Sequence, residues 1–363
     1  MISYNDLSID VVIPSYNFNE ELVKRIKKIK IPEGVTTKYF IVIDDPKLER
    51  PEIEGFELIQ NKENQGAHIS RNIGIEAGGG EWILFLDDDV EPETNLIEEY
   101  CNEIAKRKFP GYIGKTTFPN PCNSFTKSVL DSDILTFFPI AETREQMHWG
   151  VTANMLVNRK AMGEVRFDDK FPKAGGGEDI DFCLKICKSE GSLFATAPKA
   201  NVNHGWWNNG AFSLRRFARW AYGDSRLTQI HPELKYYNFP NVAEALFLGF
   251  LITILAYNLE LLEIQMLLLV PAAILFGEVF SEFIKLGFTK RWSVFNSILV
   301  VFIRAANDLG RLYGNLSRGR LNGFFERFDY FCTGESINYE RKIGFFKMMM
   351  HLLAVIVVID INP

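Results

Sequence analysis

The run Asp87-Asp88-Asp89 closes Glu81-Trp82-Ile83-Leu84-Phe85-Leu86, a stretch whose composition is that of a fully buried strand. Three adjacent carboxylates repel one another, so the arrangement calls for a compensating cation. Oxygen donors suit Mg2+ or Mn2+, and a divalent cation held there neutralises the charge on a departing diphosphate. A solvated acidic turn is the plain alternative, and the buried strand before it counts against that. A second pair, Glu178-Asp179, follows Gly175-Gly176-Gly177 and precedes a helical run containing Phe182, Leu184 and Ile186. Glycines let backbone approach a substrate closely, and a carboxylate beside a hydroxyl serves as general base. Asp179 is the candidate base. Compensation of a helix N-terminal dipole by Glu178, Asp179 and Asp181 explains the same acids on local grounds.

Single residues add to these clusters. His204 follows a short strand at 193–196, from which its side chain reaches a metal or a pyrophosphate, against a purely structural hydrogen-bonded role. Arg71, on a helix opening at Gly66, suits a phosphate or a solvated surface equally. His148-Trp149 and Trp206-Trp207 offer rings of the kind that stack on sugars, and equally of the kind that fill cores or membrane interfaces. The five cysteines are odd in number and lack CxxC spacing, so they read as reduced thiols, with Cys183 and Cys187 packing rather than binding metal.

The elements that must position these groups are legible upstream. From Ile9 to about Pro198, short β-rich runs alternate with amphipathic helical ones, the pattern of an α/β domain with a mostly parallel, Rossmann-like mixed sheet. Strands are expected at 10–14, 39–43, 56–60 and 81–86, with helices at 20–30, 66–77 and 92–108. In open α/β sheets ligands bind beyond the carboxyl ends of the strands, which is where Asp87-Asp88-Asp89 falls.

The net charge of −6 offers no basic footprint for nucleic acid. No charged segment followed by an apolar one opens the chain, so no signal peptide is expected and the α/β domain is placed in the cytosol. Beyond about Pro240 the character changes. Residues 242–262 and 265–288 are long enough and apolar enough to cross a bilayer, and 344–361 is a third candidate. Residues 293–312 carry Arg304, Asn307 and Asp308 and are expected as an interfacial or re-entrant helix. The expected domains are 1–210 (catalytic), 211–240 (interfacial helix and linker) and 241–363 (membrane). Three spans place Lys285, Lys290, Arg291, Arg318, Arg320, Arg327, Arg341 and Lys342 on the cytoplasmic side, and four spans rank second.

Several motifs in order resemble glycosyltransferase family 2, with its GT-A fold, over roughly 9–223. Val11-Val12-Ile13-Pro14-Ser15-Tyr16-Asn17 looks like the family's opening strand and nucleotide-binding turn. Ile43-Asp44-Asp45 looks like the acidic end of its second strand, which contacts the base, although Pro46-Lys47 stands where Gly-Ser is usual. Asn64-Gln65-Gly66 through Ser70-Arg71-Asn72-Ile73-Gly74 is similar to the N-x-G…A-R-N-x-G helix. Phe85-Leu86-Asp87-Asp88-Asp89 is similar to the DxD motif, which implies Asp87 towards the ribose and Asp89 on the metal. Phe167-Asp168-Asp169-Lys170-Phe171 and Glu178-Asp179-Ile180-Asp181-Phe182 look like the F-D-E-x-F and E-D-x-D-L elements and imply Asp179 as base. Arg216-Phe217-Ala218-Arg219-Trp220 resembles the Q-x-x-R-W element of processive synthases, with Arg216 in place of the Gln.

The resemblance implies a UDP- or GDP-linked sugar donor held by Pro14, Ser15, Tyr16, Asn17, Asp44, Asp45, Arg71, Asp87 and Asp88. Metal is expected at Asp89, Asp87 and His204, and Trp149, Arg216, Arg219 and Trp220 are expected at the acceptor and pyrophosphate. Together with the apolar segments it suggests inverting transfer to a membrane-associated, polyprenyl-linked glycan on the cytoplasmic face. The rivals are a polyprenyl-phosphate sugar synthase, whose ionised acceptor needs no base, a processive polysaccharide synthase, and a membrane protein that binds nucleotide sugar without turnover.

Overall fold

In the computed structural model, which describes residues 6–288 and 293–361, the β-branched runs become strands of one nine-stranded sheet. In chain order the elements are β1 (Leu7–Ser15), α1 (Glu20–Ile26), β2 (Val35–Ile43), β3 (Glu57–Gln60), α2 (Ala67–Ala77), β4 (Trp82–Leu86), β5 (Val90–Pro92), α3 (Leu96–Lys106) and β6 (Gly111–Thr117). There follow α4 (Ser124–Asp131), β7 (Gln146–Met147), β8 (Asn154–Asn158), α5 (Arg159–Met162), α6 (Glu178–Glu190) and β9 (Phe194–His204). The last elements are α7 (Arg215–Asp224), α8 (Leu227–Ile230), β10 (Lys235–Tyr237), α9 (Val242–Asn258), α10 (Met266–Phe288), α11 (Val294–Ser317), β11 (Glu326–Phe328) and α12 (Ile337–Ile361).

The chain divides into two units. The first comprises Met1–Asn120 and Leu135–Asn209, and the second Pro121–Ile134 and Gly210–Pro363. In the first, the strand order is β3-β2-β1-β4-β8-β6-β9-β5, with β7 beside β9. Pairing is parallel from β3 to β4 and again between β6 and β9, and antiparallel at β4–β8, β8–β6, β9–β5 and β9–β7, so the sheet is mixed α/β. Alternation sends Ile9, Val11 and Ile13 of β1 to one face, where they meet Leu22 and Ile26 of α1 and Leu96, Ile97 and Tyr100 of α3. On the other face Gly74 lets α2 lie against Val12, where a Cβ would come within 2.4 Å. Phe85 packs edge-on to Phe167 and Phe182, which stack at 4.1 Å. Two helix ends differ from the sequence reading. α1 stops at Ile26, and α3 opens at Leu96 because Val90–Pro92 is drawn into pairing with β9.

In the second unit α7 lies on α11, with backbones close enough that a Cβ on Gly310 would stand 2.0 Å from the Ala218 carbonyl oxygen. The apolar run 242–262 is helical only to Asn258, where Leu259 caps the helix and Glu260 turns the chain at φ +56°. That helix has 17 residues. At a rise of about 1.5 Å per residue it falls short of the roughly 30 Å hydrocarbon layer. α10 and α12 are long and apolar enough to cross a membrane, by length and composition. α12 begins at Ile337, ahead of the expected 344.

From Val294 on, the segment expected as an interfacial or re-entrant helix at 293–312 lies within the continuous helix α11. Its polar interruptions are partnered within the protein: Arg304 donates to the Ser132 carbonyl (2.9 Å) and to Asp133 (3.1 Å), and stands 3.6 Å from Glu282. A second buried group joins α10 to α12, where Glu278 accepts from Lys347 and pairs with His351 at 2.8 Å. Of the basic residues assigned to a cytoplasmic side, Lys285 pairs with Asp133, Arg320 with Glu326 and Arg327 with Glu244, while Lys290 and Arg291 lie outside the described residues.

Candidate active site

The polar groups gather where the parallel strands end, at Ser15 of β1, Asp44 after β2 and Asp87 after β4. The three adjacent aspartates have three separate fates. Asp87 Oδ1 accepts from Arg71 Nη2 at 2.7 Å. Asp88 Oδ2 accepts from the Ser15 hydroxyl at 2.6 Å, and its carbonyl accepts from the Arg25 guanidinium. Burial pushes the Asp88 carboxyl up to about 6 against the Ser15 hydrogen bond, with the charges of Asp89 and Asp87 adding to the rise. Asp89 is exposed and its Oδ1 lies 3.3 Å from His204 Nε2.

His204 arrives there through strand pairing. β9 runs on to His204, well past the expected end at 196, and sets it opposite Val90 of β5, beside Asp89. A register shift at Gly114/Lys115 breaks β6–β9 pairing, and the Asn154 amide fills the gap by donating to the Lys115 and Ala200 carbonyls at 2.9 Å each. His204 Nδ1 is 2.6 Å from the Gly205 carbonyl, which only accepts, so Nδ1 carries a proton and Nε2 is turned to Asp89. Burial disfavours the charged imidazole, but the hydrogen bond and charge of Asp89 outweigh it and leave the His204 pKa raised. Phe118 stacks on the ring at 4.9 Å.

Metal would find Asp89 carboxylate oxygens and, with His204 neutral, the Nε2 lone pair on the same edge, a mixed O/N pair that fits Mn2+ better than Mg2+, which prefers oxygen alone. Among the described residues no group of three or more His, Cys, Asp or Glu forms a ready-made cage, so water and ligand oxygens would complete the coordination. Asp87, expected beside them, already gives an oxygen to Arg71.

Asp179 stands in the first turn of α6, whose N-cap Gly177 adopts φ +90°, a conformation only glycine takes without strain. Its Oδ1 accepts from the Ile180 N–H at 2.9 Å. Burial pushes the Asp179 carboxyl up to about 6, with the charge of Arg71 and the backbone hydrogen bonds opposing and Asp87 adding. Arg71 is the hinge of the arrangement. It is buried, hydrogen-bonded to Asp87, 3.8 Å from Glu178 Oε1, and 5.7 Å over the Phe167 ring. Among the described residues its Nε and Nη1 have no hydrogen-bond partner.

Not every expected residue joins this group. Pro14 is buried in β1, while Tyr16 and Asn17 are exposed on the turn that follows it. Asp45 Oδ1 accepts from the Lys47 N–H (2.9 Å), whereas Asp44 is buried with its carboxylate turned to residues 61–66. Trp149, expected at the acceptor, is buried and packs on Phe137 at 4.3 Å, a core residue. Arg216, Arg219 and Trp220 lie on α7, in the second unit. Cys183 and Cys187 are buried thiols against Met155 and the His148 carbonyl. Arg25 was missed, because an arginine on a helix reads as surface charge and nothing in its neighbours signals Asp88.

Residues 10–166 match the model of Glycosyl transferase family 2. An uncharacterised glycosyltransferase of Haemophilus influenzae is 34% identical over 27% of this chain and 33% of its own length. Glycosyltransferase AglE of Haloferax volcanii is 24% identical over 43% of this chain and 54% of its own. The amylovoran biosynthesis glycosyltransferase AmsB of Erwinia amylovora is 22% identical over 50% of this chain and 65% of its own. The matches thus span between a third and two thirds of these relatives. The strand–turn–helix series carrying Ser15, Asp44, Arg71 and the aspartate triplet lies wholly inside the segment that matches the Glycosyl transferase family 2 model.

Proposed function

We propose that the chain is an inverting glycosyltransferase that moves a sugar from a UDP- or GDP-linked donor to a hydroxyl of a membrane-associated, polyprenyl-linked glycan. The observation that carries this reading is Arg71, which joins the end of β4 to the start of α6 by facing Asp87 on one side and Glu178 on the other. A donor binder needs the first acidic group and an acceptor base the second, and a single buried guanidinium ties both into one site.

The chemistry follows from the chain's own groups. Asp179, half-buried, takes the acceptor hydroxyl's proton as that oxygen attacks the anomeric carbon, and a single displacement inverts the configuration. Arg71 sets its positive charge between Asp87 and Glu178, where it counters developing negative charge on the diphosphate. Ser15 and Arg25 hold the Asp88 turn, so Asp87 and Asp89 keep their directions. Mg2+ or Mn2+ at Asp89 and His204 would supply neutralisation of the leaving nucleoside diphosphate. A polyprenyl-phosphate acceptor is already ionised and leaves Asp179 without a task, which ranks that reading second. Support for a membrane-bound acceptor comes from α10 and α12, and one relative is named for amylovoran biosynthesis.

The test is release of nucleoside diphosphate from a panel of UDP- and GDP-sugars by the full chain in lipid, with polyprenyl-linked acceptors. Release by one donor that stops on chelation and returns with Mn2+ or Mg2+ is the expected result. Donor binding without release, with every acceptor present, would overturn the proposal.

A further inference from the structure

The resemblance assigns Asp44 to base recognition, yet both of its carboxylate oxygens are engaged by residues 61–66. Asp44 is 4% exposed, and Oδ1 accepts from the Asn61 side-chain amide and from the Gln65 N–H, at 2.8 Å each. Oδ2 accepts from the Gly66 N–H at 2.8 Å. Three donors on one buried carboxylate close residues 61–66 into a ring around it, and charge-assisted bonds of this kind are among the stronger ones in a protein.

That ring is a seat for the segment bearing the proposed base. Lys173 Nζ donates to the Asn64 carbonyl at 2.6 Å. Gly66 sits at φ +90°, and a Cβ on it would stand 2.7 Å from the Lys173 Cα and carbonyl oxygen. Lys173 opens the stretch that ends in Gly177, the N-cap of α6, and Glu178 and Asp179 follow directly. The same Gly66 is the N-cap of α2, the helix carrying Arg71.

We propose that Asp44 is a positioning residue: through the 61–66 ring and Lys173 it fixes where Asp179 and Arg71 stand, and it does not read the nucleotide base. Its role in catalysis rests on the function proposed above. The ring and its seat do not.

The experiment compares the full chain in lipid with Asp44→Asn, which loses one acceptor of the ring, and with Lys173→Met, which keeps the stem and loses the donor. Three quantities are read: amide hydrogen exchange across 172–179, kcat for nucleoside diphosphate release, and the Kd values for UDP and GDP. Asp44→Asn is expected to speed exchange across 172–179 and to lower kcat, each about tenfold, as loss of a buried charge-assisted bond implies. The UDP and GDP affinities and their ratio are expected to stay within about twofold, and Lys173→Met is expected to give the same pattern more weakly. A changed UDP/GDP ratio with exchange at 172–179 unchanged would overturn the proposal and restore base reading. If no donor is turned over by the unaltered chain, the function fails, and exchange in the two variants still decides the positioning. If Asp44→Asn does not fold, unchanged exchange in Lys173→Met overturns the coupling by itself.

Discussion

Asp87, Asp88 and Asp89 are one residue type repeated, and each meets a different fate. One is paired to a buried arginine, one is half-buried on a serine hydroxyl, and one is left at the surface beside an imidazole. Like charges so close are tolerated because each has its own partner. Two predictions belong at this scale. Asp179→Asn removes the proposed base while keeping shape and the Ile180 hydrogen bond, so kcat is expected to fall about 10²- to 10⁴-fold with donor affinity nearly unchanged, checked by turnover and titration. A base works deprotonated, and the carboxyl of Asp179, the proposed base, is pushed up to about 6, so activity is expected to fall as pH drops through about 6 and to level off above it. A profile flat down to pH 5 would remove Asp179 from the role. Nothing in the residues around Arg71 points to its double engagement. They show an arginine on a helix, and only the fold brings β4 and α6 to either side of it.

Among the elements, His204 shows how pairing outweighs local reading. The stretch 193–196 looks like a short strand ending at Ala197-Pro198, yet β9 continues through Pro198 because Asn154 satisfies the carbonyls at the irregularity and β5 pairs with its far end. Helix packing in the second unit is similarly decided by close approach. Gly310→Ala puts a methyl 2.0 Å from the Ala218 carbonyl and is expected to cost about 1–3 kcal/mol, lowering the melting temperature of the detergent-solubilised protein. Gly79→Ala, with no described residue within 4 Å of the new methyl, is expected to leave the melting temperature unchanged and serves as the control. Apolar composition alone overstated α9, whose length is set by the turn at Glu260, while Arg304 of α11 finds its partners inside the protein.

For the whole molecule, chain order and structural unit diverge. Residues 121–134 leave the first unit to supply α4 to the second, where Ser128 donates to Asn296 (2.6 Å), Asn296 donates to Asp131 (2.9 Å) and Phe125 packs on Phe212 at 5.0 Å. A fragment cut after residue 209 keeps α4 without these partners. It is expected to aggregate, whereas the same fragment with 121–134 replaced by a Gly/Ser link is expected to stay monodisperse in size-exclusion chromatography. Aggregation of both fragments equally would show that the first unit does not fold by itself. The full chain, with two helices apolar enough to span, is expected to stay in the pellet on alkaline carbonate extraction.

Composition and local spacing determined the alternation of strands and helices, the acidic turn after a buried strand, the glycines before Glu178-Asp179 and the apolar character beyond Pro240. These are short-range properties, written in neighbours and in periods of two and 3.6 residues. Tertiary structure decided what each polar group is for. It turned Asp44 inward onto a ring of amides, sent Trp149 to the core, set His204 beside Asp89 and gave Arg304 its carboxylates. A side chain's partner comes from distant sequence, and a buried charge or ring takes its role from whatever the fold places within about 4 Å of it.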